Sequence, residues 1–91
     1  MTTIHRLEDP AHLDAGGVLL TYPSGYRQTL SWRSSEGVDP QAMGKALAEK
    51  ALAGLMEKGE AGAMDLRETN FVSLAAGLGH MVREWASKRG G

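Results

Sequence analysis

The stretch GVLLTYPSGYRQTLSWR, residues 17–33, decides the fold because it predicts a β-hairpin. Two runs rich in strand-forming residues, 17–22 and 26–33, flank the tripeptide PSG at 23–25. Proline at the first loop position fixes its own φ angle, and glycine at the third can adopt a positive φ. This combination is typical of a three-residue hairpin loop, a type I turn followed by a bulge.

The loop length sets which side chains share a face of the hairpin. A three-residue loop pairs Tyr22 with Tyr26, and a two-residue loop would mix apolar and polar side chains on both faces. We therefore expect the three-residue loop. Its first face is largely apolar, with Val18, Leu20, Tyr22, Tyr26, Gln28, Leu30 and Trp32. Its second face is largely polar, with Leu19, Thr21, Arg27, Thr29, Ser31 and Arg33.

The residues before the hairpin predict a strand and a loop. The segment TIHRL, residues 3–7, alternates in polarity and indicates a short strand. The segment EDPAHLDAGG, residues 8–17, is rich in residues that favour turns and predicts a loop. The sheet would then contain either the hairpin alone or three antiparallel strands.

The segment DPQAMGKALAEKALAGLMEKG, residues 39–59, carries the clearest helix signal. Asp39 suits the N-cap, Pro40 the first helical position and Gly59 the position after the helix. The segment EAGAM, residues 60–64, is expected to be a connector. The buried stripe of the helix is expected to be mostly small in its first half: Gly44, Leu47, Ala48, Ala51, Leu52 and Leu55.

A second helix is predicted over residues 71–88. Apolar residues recur there at helical spacing over four turns: Phe71, Leu74, Leu78, Met81, Val82 and Trp85. Asp65 with Glu68 resembles a capping pair, and Asn70 is a second candidate cap. Gly77 and Gly79 together cost a helix about 2 kcal/mol relative to alanine. The alternatives are one helix, kinked or straight, and a break at these glycines; we expect one helix.

The fold class predicted is therefore α+β, in a single domain over residues 1–91. A β-hairpin or three-stranded antiparallel sheet is followed by two helices packed on its apolar face, since two strands alone are marginal in water. We expect residues 86–91 to fray and Glu84 to pair with Lys88.

Composition excludes several classes of protein. Ten basic and eleven acidic side chains give a formal charge of −1, which offers no long-range attraction to polyphosphates. The absence of cysteine excludes disulfides and thiolate chemistry. No leader peptide and no membrane-spanning segment is apparent, so we expect a cytoplasmic protein.

We expect no enzyme, no cofactor and no metal. Acidic and imidazole groups cluster in the loop, at Glu8, Asp9, His12 and Asp14, and their spacing matches no familiar metal motif. The segment GLGH, residues 77–80, lacks the other residues of a phosphate-binding loop.

The hairpin is the candidate partner-binding site, with Tyr22, Tyr26, Arg27 and Arg33 as the residues expected to contact a partner. A small protein-binding module is the function expected first: an adaptor, an inhibitor or an assembly accessory factor, of a size common in phages and mobile elements. The alternative is a nucleic-acid-binding domain that uses the hairpin and the basic C-terminal residues Arg83, Lys88 and Arg89.

The five methionines are numerous for 91 residues. Methionine fills cores and also appears on surfaces that bind partners. With a thin core, self-association or binding to another protein is a favourable way to bury apolar area. A homo-oligomer is therefore a further expectation.

Overall fold

The computed structural model describes residues 2–7, 15–33 and 39–90, except the side chains of residues 15 and 88–90. The described chain forms a three-stranded antiparallel sheet in the order β1-β2-β3, followed by three helices. The α+β class is confirmed, as is the third strand. The elements are β1 (Thr3–Leu7), β2 (Ala15–Thr21), β3 (Arg27–Arg33), α1 (Pro40–Glu57), α2 (Glu60–Glu68) and α3 (Phe71–Gly90).

The hairpin loop between β2 and β3 has the geometry predicted. The amide of Gly25 donates to the carbonyl of Tyr22 at 2.8 Å, which closes the type I turn, and Gly25 has a φ of +94°. The amide of Tyr22 donates to the carbonyl of Tyr26 at 2.9 Å. The three-residue loop is therefore confirmed, and glycine is needed at its third position because other residues rarely adopt that φ.

The register of the sheet follows from this loop. Leu20 pairs with Gln28 and Val18 with Leu30, so the apolar face is the one that packs on the helices. β1 extends this face, because Ile4 pairs with Leu20.

The start of β2 differs from the prediction, because β2 begins at Ala15 and not at Gly17. Gly16, expected in a loop, lies in the strand opposite Trp32. A Cβ atom on Gly16 would lie 2.4 Å from the indole ring of Trp32, so glycine here makes room for that ring. The remainder of the predicted loop, residues 8–14, lies outside the described residues.

The core lies between the sheet and the helices. Trp32 is buried there and makes an edge-to-face contact with Trp85 of α3, with ring centroids 5.7 Å apart. The buried apolar side chains come from both layers: Val18, Leu20, Tyr22, Leu30, Trp32, Leu47, Ala48, Ala51, Leu55, Leu74, Leu78 and Val82.

The helices α1 and α3 cross at very short range. A Cβ atom on Gly44 of α1 would lie 2.5 Å from the carbonyl oxygen of Ala75 and 2.6 Å from the amide nitrogen of Gly79. The two backbones are therefore in direct contact, which explains why the buried residues near the start of α1 have small side chains. Asp39 caps α1 as predicted, accepting from the amide of Gln41 at 3.3 Å.

The third helix runs unbroken from Phe71 to Gly90, so the expectation of a single helix is confirmed. Asn70 begins it by accepting from the amide of Ser73 at 3.1 Å. Both internal glycines lie where a neighbour approaches: Gly79 faces Pro40, and a Cβ atom on Gly77 would lie 2.7 Å from Cδ1 of Ile4. Packing thus offsets their unfavourable helix propensity.

The segment after α1 is where the prediction is wrong. Residues 60–64, expected to be a connector, form the start of an additional helix, α2. Gly59, with a φ of +63°, follows the end of α1 as predicted. The next residue, Glu60, already begins α2. Asp65 is not a cap before α3; it lies within α2 with a fully buried side chain.

The C-terminal end of α3 contacts the sheet through Glu84. Its carboxylate forms an ion pair with Arg6 of β1 and also contacts His80 Nε2, at 3.1 Å. The expected partner, Lys88, has its side chain outside the described residues. The backbone remains helical to Gly90, and fraying of residues 86–91 stays a prediction.

The close crossing of α1 and α3 predicts the effect of adding a methyl group. Gly44→Ala should lower the free energy of unfolding by about 1–3 kcal/mol, because the new Cβ overlaps backbone atoms that cannot move independently. Urea denaturation measures this change.

Gly77→Ala in α3 is the matched control. The neighbour of its added methyl group is Cδ1 of Ile4, the end of a half-buried apolar side chain that can rotate away, so the gain in helix propensity should keep stability near that of the wild type. Equal stability of the two variants would contradict the close crossing.

Candidate functional site on the hairpin

The strand β3 forms one edge of the sheet. It runs for seven residues, and within the described ranges it pairs only with β2. The bonded pair Tyr22–Tyr26 fixes which backbone groups point outward, since bonded and non-bonded pairs alternate along an antiparallel ladder. The N–H and C=O groups directed to the outer edge therefore belong to Arg27, Thr29, Ser31 and Arg33.

These four residues also carry the exposed side chains of β3. Their side chains project from the face of the sheet that points away from the helices. Arg27 and Arg33 stand six residues apart, which is about 20 Å along a strand. The edge thus combines backbone groups that have no strand partner among the described residues with a positive charge near each end.

A buried carboxylate holds the tip of the hairpin in place. Asp65 of α2 is fully buried and accepts from the amide of Ser24 at 3.1 Å and from its hydroxyl at 2.6 Å. The hydroxyl of Thr69 donates to the backbone carbonyl of Asp65 at 2.6 Å, which fixes the end of α2. Hydrogen bonds to a charged acceptor are stronger than neutral ones, so this contact ties the loop firmly to the helical layer.

The tyrosines are on the helix-facing side of the hairpin. Tyr22 is 2% exposed, and its ring stacks on that of Tyr26 with centroids 5.7 Å apart. Lys58 lies over the Tyr26 ring at 4.0 Å. The hydroxyl of Tyr22 donates to Gln28 Oε1 at 2.6 Å, and Gln28 Nε2 donates to the carbonyl of Ala51 at 3.4 Å.

The four residues expected to bind a partner therefore do not form one surface. Tyr22 belongs to the core and offers no side-chain surface, and Tyr26 is half-buried beside it. Arg27 and Arg33 are exposed on the opposite face. The predicted register already indicated this separation, because it placed Tyr22 on the apolar face of the hairpin together with Val18 and Leu20.

The residues of the nucleic-acid alternative are also separated. Arg83 is exposed on α3, in the helical layer, whereas Arg27 and Arg33 project from the far side of the sheet. The side chains of Lys88 and Arg89 lie outside the described residues, as do all four residues of the acidic loop, Glu8, Asp9, His12 and Asp14.

The described residues contain no candidate metal site. No three of their histidines and carboxylates come together in a group that could hold a metal ion. No helix among them has the length and apolar character needed to cross a membrane.

The comparisons with known proteins give no relative. No protein-family model, curated protein or solved structure matches the chain. Function is therefore argued from the chain's own geometry.

The contact between Ser24 and Asp65 predicts a stability change. Ser24→Ala should lower the free energy of unfolding by about 1–3 kcal/mol, because the buried carboxylate loses its shortest hydrogen bond. Ser31→Ala, on the exposed face of β3, is the control and should change stability by less than about 0.5 kcal/mol. Chemical denaturation of both variants measures the difference, and a Ser24→Ala variant as stable as the control would contradict the contact.

The environment of Tyr22 predicts a pH dependence. Burial, followed by the charges of Tyr26 and Asp65, raises the pKa of Tyr22 from 10.0 to about 12. The folded state thus favours the protonated phenol. Its contribution to stability is complete below pH 10 and is lost as the pH rises to about 12. The loss amounts to roughly 2–3 kcal/mol.

Phenolate absorbance tests this prediction. In a Tyr26→Phe variant the only tyrosine is Tyr22, and its titration midpoint in the folded protein should stay well above 10, because burial and Asp65 still raise the pKa after the charge of Tyr26 is removed. In denaturant the midpoint should return to about 10. A midpoint near 10 in the folded variant would show that the hydroxyl is exposed to water.

Proposed function

We propose that the protein is a non-enzymatic protein-binding module that accepts an extended, acidic segment of a partner protein along β3. The observation that supports this proposal is the seven-residue edge strand whose outward backbone groups lie between two exposed arginines. Adding a strand to a sheet edge is a recurring mode of peptide recognition. The backbone groups provide affinity, and the side chains provide specificity.

Charge favours an acidic segment. Carboxylates about six residues apart in the added strand can reach Arg27 and Arg33. The contacts are exposed, so they contribute mainly to specificity and to the rate of association.

The same charges disfavour pairing of β3 with a second copy of the chain. Two β3 strands paired antiparallel about Leu30 would place Arg27 opposite Arg33 of the second copy. Like charges directly opposite one another are unfavourable across strands. A homo-oligomer formed through another surface stays a prediction.

The anchored tip supports binding by limiting its entropic cost. Ser24 is held by Asp65, and Tyr22 is held by Gln28, which also contacts α1. A strand that is already ordered loses little freedom when a partner adds to it.

The test removes one outward N–H group. In Thr29→Pro the strand β3 keeps its backbone hydrogen bonds to β2, because the N–H of residue 29 points to the outer edge. A strand that adds to this edge loses one hydrogen-bond donor and meets the proline ring. Thr29→Ala is the matched control, since it shortens the same side chain and retains the N–H. Circular dichroism establishes that both variants fold.

The binding experiment is affinity capture from a lysate of the source cell, with and without nuclease. We expect the wild type to capture a protein that stays bound after nuclease treatment. The Thr29→Ala variant should still capture this protein, and the Thr29→Pro variant should not. Arg27→Glu with Arg33→Glu should weaken capture of the same protein. Capture unaffected by Thr29→Pro would contradict strand addition. Material that nuclease releases, and that dissociates steeply with salt, would establish the nucleic-acid alternative.

A further inference from the structure

A groove of about 440 Å³ lies between the start of α1 and the first three turns of α3, away from the hairpin. Its volume falls within the range of small-molecule sites. Its lining includes Lys45 on α1 and Phe71, Val72, Ala76, His80 and Arg83 on α3.

The polarity of the groove changes along α3. Phe71, Val72 and Ala76 make one end apolar, and Val72 is 75% exposed. His80 and Arg83 line the other end. Pro40, which begins α1, packs on Gly79 and places the helix start at this second end.

The charged groups of the groove are cationic. Lys45 and Arg83 form no ion pair within the described part of the chain, whereas His80 contacts Glu84. The second carboxylate oxygen of Glu84 pairs with Arg6 of β1, which offsets the charge of Glu84. Asp39, the N-cap residue before α1, accepts from the amide of Gln41, and Glu49 lies one turn after Lys45 on α1.

The groove is elongated. Residues 71 to 83 of α3 span about 18 Å, and the volume between them and the start of α1 is about 440 Å³. This length and volume suit a small, elongated ligand.

We propose that this groove binds a free carboxylic acid with an unbranched alkyl chain. The chain lies along Phe71, Val72 and Ala76, and the carboxylate lies beside His80 and Arg83, with Lys45 lining the facing wall on α1. Apolar burial supplies most of the affinity, and the cations set the direction of the ligand in the groove. This site is independent of the hairpin edge.

The experiment titrates the protein with hexanoate, octanoate and decanoate, below their micelle concentrations, by calorimetry and by ¹H–¹⁵N chemical shifts. Affinity should rise about fourfold for each added methylene until the groove is full. Decan-1-ol is the uncharged counterpart of decanoate and should bind more weakly. The largest shifts should fall on residues 71–83 and 40–45.

Variants locate the two ends of the ligand. Arg83→Ala and Lys45→Ala should each weaken decanoate roughly two- to fivefold and leave decan-1-ol unchanged. Ala76→Trp, a substitution at an exposed position, should fill the groove and remove binding of both. Arg27→Ala on the hairpin is the control and should change neither.

Three results would overturn the proposal. The first is equal binding of decanoate and decan-1-ol in the wild type, which would exclude a role for the cations. The second is full affinity in a folded Ala76→Trp variant, which would place the ligand elsewhere. The third is the absence of binding by every acid in the series below its micelle concentration.

Discussion

The contact between the backbones of α1 and α3 is the constraint on which the rest of the structure depends. Gly44 and Gly79 allow the helices to approach until a Cβ atom between them would overlap main-chain atoms. The pair then forms a layer that covers the apolar face of the sheet, which a hairpin alone could not bury. Small residues bury little area each, so the contact between α1 and α3 depends on closeness of packing. Large side chains, among them Leu20, Trp32 and Leu78, fill the space between the helices and the sheet.

The same contact determines where surface remains open. Helices that touch at Gly44 and Gly79 leave a groove beside the contact, and its walls are the exposed sides of both helices. At the other end of α1, Gly59 turns the chain directly into α2, which brings Asp65 under the hairpin tip. One helical layer thus presents a groove on one side and anchors an edge strand on the other.

Local chemistry made much of the fold predictable. The PSG loop contains the residues that a three-residue turn requires, so the register and the two faces of the hairpin followed from it. Asp39, Pro40 and Gly59 marked the ends of α1 in the same way. These features depend on neighbours in the sequence, and such features are accessible without a structure.

The features that were missed depend on residues distant in sequence. Asp65 resembled a cap because nothing nearby shows that its carboxylate meets Ser24, 41 residues earlier. Gly16 resembled a loop residue until Trp32 was placed opposite it. In the candidate site on the hairpin, the outward direction of Arg27 and Arg33 was predictable from the register. The groove between α1 and α3 was not predictable, because each of its walls alone is an ordinary exposed helix face.

The contact between Trp32 and Trp85 has a consequence for spectroscopy. The chain has two tryptophans, and both lie at the end of the sheet opposite the hairpin tip. Their emission therefore reports on one locality, about 20 Å along β3 from Tyr26. Partial opening of the loop, a motion that can occur without global unfolding, would be silent in tryptophan fluorescence and visible only to the two tyrosines.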